Sequence, residues 1–211
     1  MTKLQSYRLK AAGPGDIIVG WFGGHPRGIR SQDWPRCAIC AAPMCHMAQI
    51  DAGPWLALDD CQRLSIFICH ATGGQCEDWD PYKGSNRVVI QKQVNDMLFD
   101  GPPTVRVYRK VRLTVEPLVN ESGLLEEAEG DPDELNALTH RLKYDKLGGG
   151  AVWVHNDATL RRSDGRAMRL VMQMTTNIVK FDITDDGMAY VFLDSQGSAS
   201  DNRAYLIWQG N

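Results

Sequence analysis

Leu64-Ser65-Ile66-Phe67-Ile68-Cys69 and Met188-Ala189-Tyr190-Val191-Phe192-Leu193 are short, almost wholly apolar runs bounded by turn residues. Runs of this length suit buried strands better than helices. Sliding the chain on itself by 125 residues lays Ser65–Ile68 on Tyr190–Leu193. The same register lays Phe22-Gly23-Gly24 on Leu147-Gly148-Gly149, Arg36 on Arg161, Met47 on Met172, Asp60 on Asp185 and Phe67 on Phe192. Order and gap-free register carry the repeat, since the identities are few. Each copy then has one plan. A Gly-Gly turn leads to a polar loop and a short strand (Met47–Ile50; Leu170–Met174). An acidic turn follows (Asp59-Asp60; Asp185-Asp186-Gly187), and then the second buried strand.

Working outward, Val105–Val115 and Ile178–Ile183 alternate and are expected as strands. Asp131-Pro132-Asp133-Glu134 has the form of an N-cap, a proline at N1 and an acid at N3. Leu135, Leu138 and Leu142 form a stripe behind it, Arg141, Lys143 and Lys146 suit a helix C-terminus, and Gly148 can end the helix. The expected fold is α+β and β-rich, with two pseudo-symmetric halves packed into one compact unit of residues 1–211. The copies span about 20–100 and about 147–211, joined by a connector with a helix at about 101–146.

Hydrophobic residues make up 43% of the 211, enough for a packed core. No run approaches the ~18 apolar residues of a membrane span. MTKLQSYRLKAAGPGD has no apolar segment of the secretory kind, so the expected compartment is the cytoplasm. A net charge of -3 argues against general nucleic-acid binding, although Arg106, Arg109, Lys110 and Arg112 form a basic cluster. Glu116 to Glu134 holds eight acids and no Lys or Arg. Besides being a solvated loop, it can serve as a docking surface for a basic partner through Glu121, Glu126, Glu127, Glu129, Asp131 and Asp133.

All six cysteines lie in the first 76 residues. Structural disulfides are not expected in the cytosol. Cys37-Ala-Ile-Cys40 is a CxxC, and Cys69 and Cys76 flank a glycine-containing loop after a strand. Two such loops can give Zn2+ four thiolates; separate buried thiols are the alternative. Opposite Cys37, Cys40, Cys69 and Cys76 in the repeat stand Arg162, Gly165, Asp194 and Asp201, so the cysteines belong to one copy. Cys45 and Cys61 read as core residues, and His46 and His70 as reserve ligands.

Catalytic signatures are missing from the sequence. There is no GxSxG, no HExxH among the five histidines, and no GK[ST] after either glycine run. The paired aspartates stand at turns, which favour Asp for backbone reasons. No enzyme active site is expected.

Taken in order, CxxCxxPM at 37–44, QID at 49–51, LSIFIC at 64–69, CEDWDPYKGSNRVV at 76–89, KLGGxxxWV at 146–154 and DDGMAYVFLDSQ…AYLIWQ at the end resemble the bacterial YwqG-like family. A related GG…W, CxxC and Q pattern occurs more distantly in the eukaryotic programmed cell death protein two. The resemblance covers roughly 20–209, and departs at Trp21–Pro26, where the family often has GG-x-P-x-W. It implies a β-rich fold of pseudo-twofold halves. It also implies an immunity protein that binds a cognate antibacterial toxin 1:1 and occludes its active site. The toxin implied is a nuclease delivered by a contact-dependent system such as type VI secretion. A zinc-stabilised, chaperone-like binding module is the second function implied.

Overall fold

The computed structural model describes residues 5–58, 61–71, 75–118, 124, 131–183, 186–194 and 203–210. Ten strands are present among the described residues: β1 (Ser6–Ala11), β2 (Gly20–Phe22), β3 (Cys45–Asp51), β4 (Arg63–Ile68), β5 (Asn86–Gln91), β6 (Val111–Leu118), β7 (Lys146–Leu147), β8 (Arg169–Met174), β9 (Met188–Leu193) and β10 (Ala204–Gln209). They form one antiparallel sheet in the order β10-β9-β8-β7-β1-β6-β2-β3-β4-β5. The sheet curls into a nearly closed barrel, and side chains beside its two edges meet. Tyr82 and Tyr205 have ring centroids 5.7 Å apart, and Trp79 and Trp208 6.0 Å apart.

β4 and β9 read as continuous apolar runs because both of their faces are covered. Leu64, Ile66 and Ile68 point into the interior with Ala189, Val191 and Leu193. On the outer faces, Phe67 packs with Trp34 and Met44, and Tyr190 and Phe192 pack with Met168 and Leu170. Each copy therefore has an outer pad built by its long loop.

Register relates the halves residue by residue, at an offset of 125 between β4 and β9 but 124 between β3 and β8, so Met47 corresponds to Val171 and not to Met172 as the gap-free reading expects. Trp21 pairs with Gln49 and Arg112; Lys146 pairs with Gln173 and Arg8. A bulge interrupts β3 between His46 and Ala48, and another interrupts β8 between Leu170 and Met172. Gly23 donates to Met47 O at 2.8 Å and Gly148 to Val171 O at 3.1 Å, so both Gly-Gly turns lock onto the bulges. Gly23 has φ +61°, and a Cβ there would lie 2.4 Å from Arg109 O; Gly148 has φ +68°. The left-handed region and the close approach both call for glycine.

The correspondence extends to β1 and β6, outside the copies read from sequence. β6 joins β2 and β1 joins β7, so each half takes the strand at the centre of the sheet from the other. β1 and β6 pair across the pseudo-dyad, with Lys10 opposite Thr114.

The α+β expectation narrows to β-rich. Among the described residues, regular helix comprises the eleven residues of α1 (Pro132–Leu142) and Leu124, beside one 3-10 turn at Ser31–Asp33. Asp131 caps α1 as expected, its side chain accepting from the N–H groups of Asp133 and Glu134. The helix stops at Leu142 rather than near Gly148, because Lys146 and Leu147 are needed as β7. No helix among the described residues is long and apolar enough to cross a membrane. The strand expected at Ile178–Ile183 is not formed. Val179, Phe181 and Ile183 are buried while Lys180 and Asp182 are exposed, so the alternation marks a bent segment, turned by the Phe181 N–H donating to Val179 O at 2.8 Å, laid on the core without ladder hydrogen bonds. β6 starts at Val111, later than the expected Val105. Asp59, Asp60 and Asp185 of the expected acidic turns lie outside the described residues.

His46, on β3, is fully buried, and its Nδ1 lies 2.9 Å from Gly24 O and 3.2 Å from Gly23 O. Two carbonyls at Nδ1 require the proton there, which leaves Nε2 a lone pair without a donor. Burial pulls this imidazole from 6.5 down to about 4. The unfolded chain therefore takes up a proton between these values while the folded chain does not. The stabilisation is complete above pH 6.5 and is lost as pH falls toward 4, a change of about 3 kcal/mol. Asp145, which burial raises to about 6, opposes this trend over its own window, so the difference from a variant isolates the histidine. His46→Gln is expected to flatten urea-determined stability between pH 4 and 6.5 relative to wild type. Parallel pH profiles for the two proteins would remove the assignment.

Candidate metal centre

The CxxC lies in a hairpin on the outer face of the first copy. Arg36 bridges Pro43, Cys37 N–H donates to Ala42 O at 2.9 Å, and Ala41 N–H donates to Cys37 O at 2.9 Å. Ala41 takes φ +59°, an uncommon conformation for a residue with a Cβ. The second pair comes from the β4–β5 connection. Cys69 follows β4 directly and donates its N–H to Ser85 O at 2.8 Å, which fixes it beside the start of β5. Ala38 N–H donates to Gly84 O at 2.9 Å and ties the hairpin to this connection. Asn86 anchors the stretch after Cys76 by donating to Asp78 O at 2.9 Å and Asp80 O at 3.1 Å.

These ties bring the sulfurs of Cys37, Cys40, Cys69 and Cys76 within 4.8 Å of one another, and Cys40 Sγ to 3.6 Å from Cys69 Sγ. A tetrahedron of Zn–S bonds has edges of about 3.8 Å, whereas a disulfide needs about 2.05 Å. All six cysteines are free thiols. The four are able to hold a metal ion. Three are buried and Cys40 is half-buried, beneath Ile29, Trp34, Met44 and Phe67.

Burial and local hydrogen bonds shift the thiols in opposite directions. Burial pushes the Cys69 thiol well up, against a hydrogen bond from the Ala71 amide and beside the neighbouring Cys40 and Cys37 sulfurs. The Cys40 thiol is lowered, first by the Ala42 amide. Four sulfurs this close cannot all ionise alone, and a dication reverses that balance. Amides from Ala42 and Ala71, each two residues past its cysteine, are the outer support sequence spacing did not reveal. Four protein ligands leave no open coordination position, so such a site is structural in type.

The reserve histidines stand outside the cluster. His46 is committed to the Gly-Gly turn, and His70 Nδ1 lies 2.7 Å from the Tyr108 hydroxyl. Tyr108 Oη accepts the Asp182 N–H at 3.1 Å, so its own proton goes to His70. Cys45 and Cys61 are core residues, as expected.

The second copy repeats the hairpin without the cysteines. Arg161 bridges Ala167, Arg162 N–H donates to Arg166 O at 2.9 Å, and Gly165 takes the left-handed position with φ +81°. Arg162, in the place of Cys37, lies 3.4 Å from Asp194, in the place of Cys69. An ion pair thus joins the two loops where thiols join them in the first copy.

Neither the family models nor the curated proteins searched include a match to this chain. Of the expected partner-binding acids, Glu121, Glu126, Glu127 and Glu129 lie outside the described residues. Asp131 and Asp133 are exposed at the start of α1.

Proposed function

We propose that this is a binding protein whose loops are stapled by structural zinc at Cys37, Cys40, Cys69 and Cys76. The convergence of four sulfurs from two separate loops carries the metal assignment. An all-sulfur donor set favours a soft or borderline cation, and zinc is the common occupant of a closed shell of four thiolates. Binding then adds to folding free energy and takes no part in turnover. Six free thiols suit the reducing cytosol, the compartment we propose.

For the partner we propose a cognate antibacterial toxin, neutralised by 1:1 occlusion of its active site. This part rests on the ordered motifs from CxxCxxPM to AYLIWQ. Exposed Asp131 and Asp133 supply negative charge suited to a nucleic-acid-binding face. Protein purified without a His-tag is expected to carry one zinc per chain, and Cys37→Ser none. Co-expression with the toxin encoded beside it is expected to restore growth, and the two proteins to co-elute as a 1:1 complex. Metal-free wild type would remove the zinc assignment. Protein that neither binds nor neutralises that toxin would remove the immunity role.

A further inference from the structure

The pseudo-symmetry leaves one place uncovered. In the second copy the link from β6 to β7 contains α1, and Leu138 and Leu142 of α1 pack on Tyr144 and Val152. The link from β1 to β2 has no helix. Arg27 stands where the second copy has Val152, since Gln49 accepts the Arg27 N–H as Gln173 accepts that of Val152. Asp51 and Arg63 likewise stand in the places of Thr175 and Met188. Around Thr175 and Met188 only a hollow of about 260 Å³ remains beside α1. In the first copy the same region is a cleft of about 660 Å³, within the range of small-molecule sites.

Its lining is strongly cationic. Arg27, Arg63, Lys110 and Arg112 face two carboxylates, Asp51 and Asp96. Arg63 is spent inside the wall: it is buried and held by Asp51, by Asp96 at 2.9 Å and by Asn95 O at 3.1 Å. Arg27 reaches Asp96 at 3.7 Å. Neither Lys110 nor Arg112 has a carboxylate within ion-pair distance among the described residues. Trp21 forms part of the wall, with the Lys110 ammonium 4.2 Å from its ring centroid. Trp21 is itself only 4% exposed, and its indole N–H is buried without an acceptor. Burial and the neighbouring Arg27 and Arg112 lower the Lys110 ammonium, a crowding that an anion would relieve.

We propose that this cleft binds a phosphate ester, with Lys110, Arg112 and Arg27 receiving the phosphoryl oxygens. Two unbalanced positive charges match a phosphate dianion. Guanidinium forks and an ammonium supply only donors, and a phosphoryl group only acceptors. The site is on the same outer face of β3 and β4 as the cysteine cluster's pad but at the other end of these strands, where Asp51 pairs with Arg63, and neither metal nor toxin is needed to form it.

Calorimetric titration of the full chain with inorganic phosphate and pyrophosphate, at constant ionic strength, tests this. Saturable binding is expected, weakened at least tenfold by Lys110→Gln and by Arg112→Gln. Both side chains are exposed, so circular dichroism and the unliganded melting temperature should be unchanged. Arg106→Gln removes a basic residue outside the cleft lining and is expected to bind as wild type does. Absence of saturable binding, an equal loss in Arg106→Gln, or citrate binding as tightly as pyrophosphate would overturn the proposal.

Discussion

Cys69→Ser is expected to abolish metal binding and to lower stability by about 3–5 kcal/mol, whereas Asp194→Ser at the corresponding place in the second copy is expected to cost about 1 kcal/mol or less. Both residues close the same structural junction. Each directly follows the last residue of its strand, β4 or β9, and donates its backbone N–H across to the connection before the next strand. What differs is the clip. Arg162 and Asp194 form a partly exposed pair, 20% and 18% accessible, which water and salt weaken. The four thiols are enclosed, and a dication among them replaces interactions the unfolded chain lacks. Urea titration with measured zinc content distinguishes the cases. A chelator should destabilise wild type and leave Cys69→Ser unchanged. Equal losses in the two variants, or a wild type indifferent to a strong chelator, would mean that packing rather than metal holds the first junction.

Legibility in the sequence followed how local each signal is. Ile66, Phe67 and Ile68 announce a strand because both of its faces are buried, and Val191, Phe192 and Leu193 repeat the statement. Asp131 and Pro132 announce the start of α1 because capping is a contact between near neighbours. The cysteine cluster was visible because a CxxC already places two ligands within one short loop. β1 was not visible. Of Ser6–Ala11 only Ser6 and Leu9 are buried, and its partners β6 and β7 lie over a hundred residues away. The insertion of α1 also shifts β6 out of the register that relates the other strands, which hides its equivalence to β1. Ile178–Ile183 misled for the opposite reason: alternation reports which side chains are buried and is silent about whether the backbone has a partner. The cationic cleft drew on segments near residues 21, 27, 51, 63, 96 and 110, and only the barrel brings them together.

The repeat also sets an expectation that neither copy alone would give. Gln49 and Gln173 are fully buried, and each brackets the loop that leaves its Gly-Gly turn. Gln49 Oε1 accepts the Arg27 N–H at 2.9 Å, and its Nε2 donates to Arg27 O at 3.0 Å and to Ser65 Oγ at 2.6 Å. Gln173 Oε1 accepts the Val152 N–H at 2.9 Å, and its Nε2 donates to Tyr144 O at 2.9 Å. Methionine keeps the length of the side chain and removes its donors and acceptor. In Gln173→Met the Val152 N–H and the Tyr144 carbonyl lose buried partners, at about 1–3 kcal/mol each, so a total of about 4 kcal/mol is expected. Gln49→Met is expected to cost about 2 kcal/mol, although it breaks three bonds rather than two. The reason is access: Arg27 is exposed beside the open cleft, where water can take over its backbone groups, so only the buried Ser65 hydroxyl is left without that partner, while Val152 is sealed under α1. Urea midpoints at unchanged m-value measure both. Equal costs, or the larger cost at Gln49, would show that the helix does not shield the second bracket and that the two copies differ less in solvent access than their packing implies.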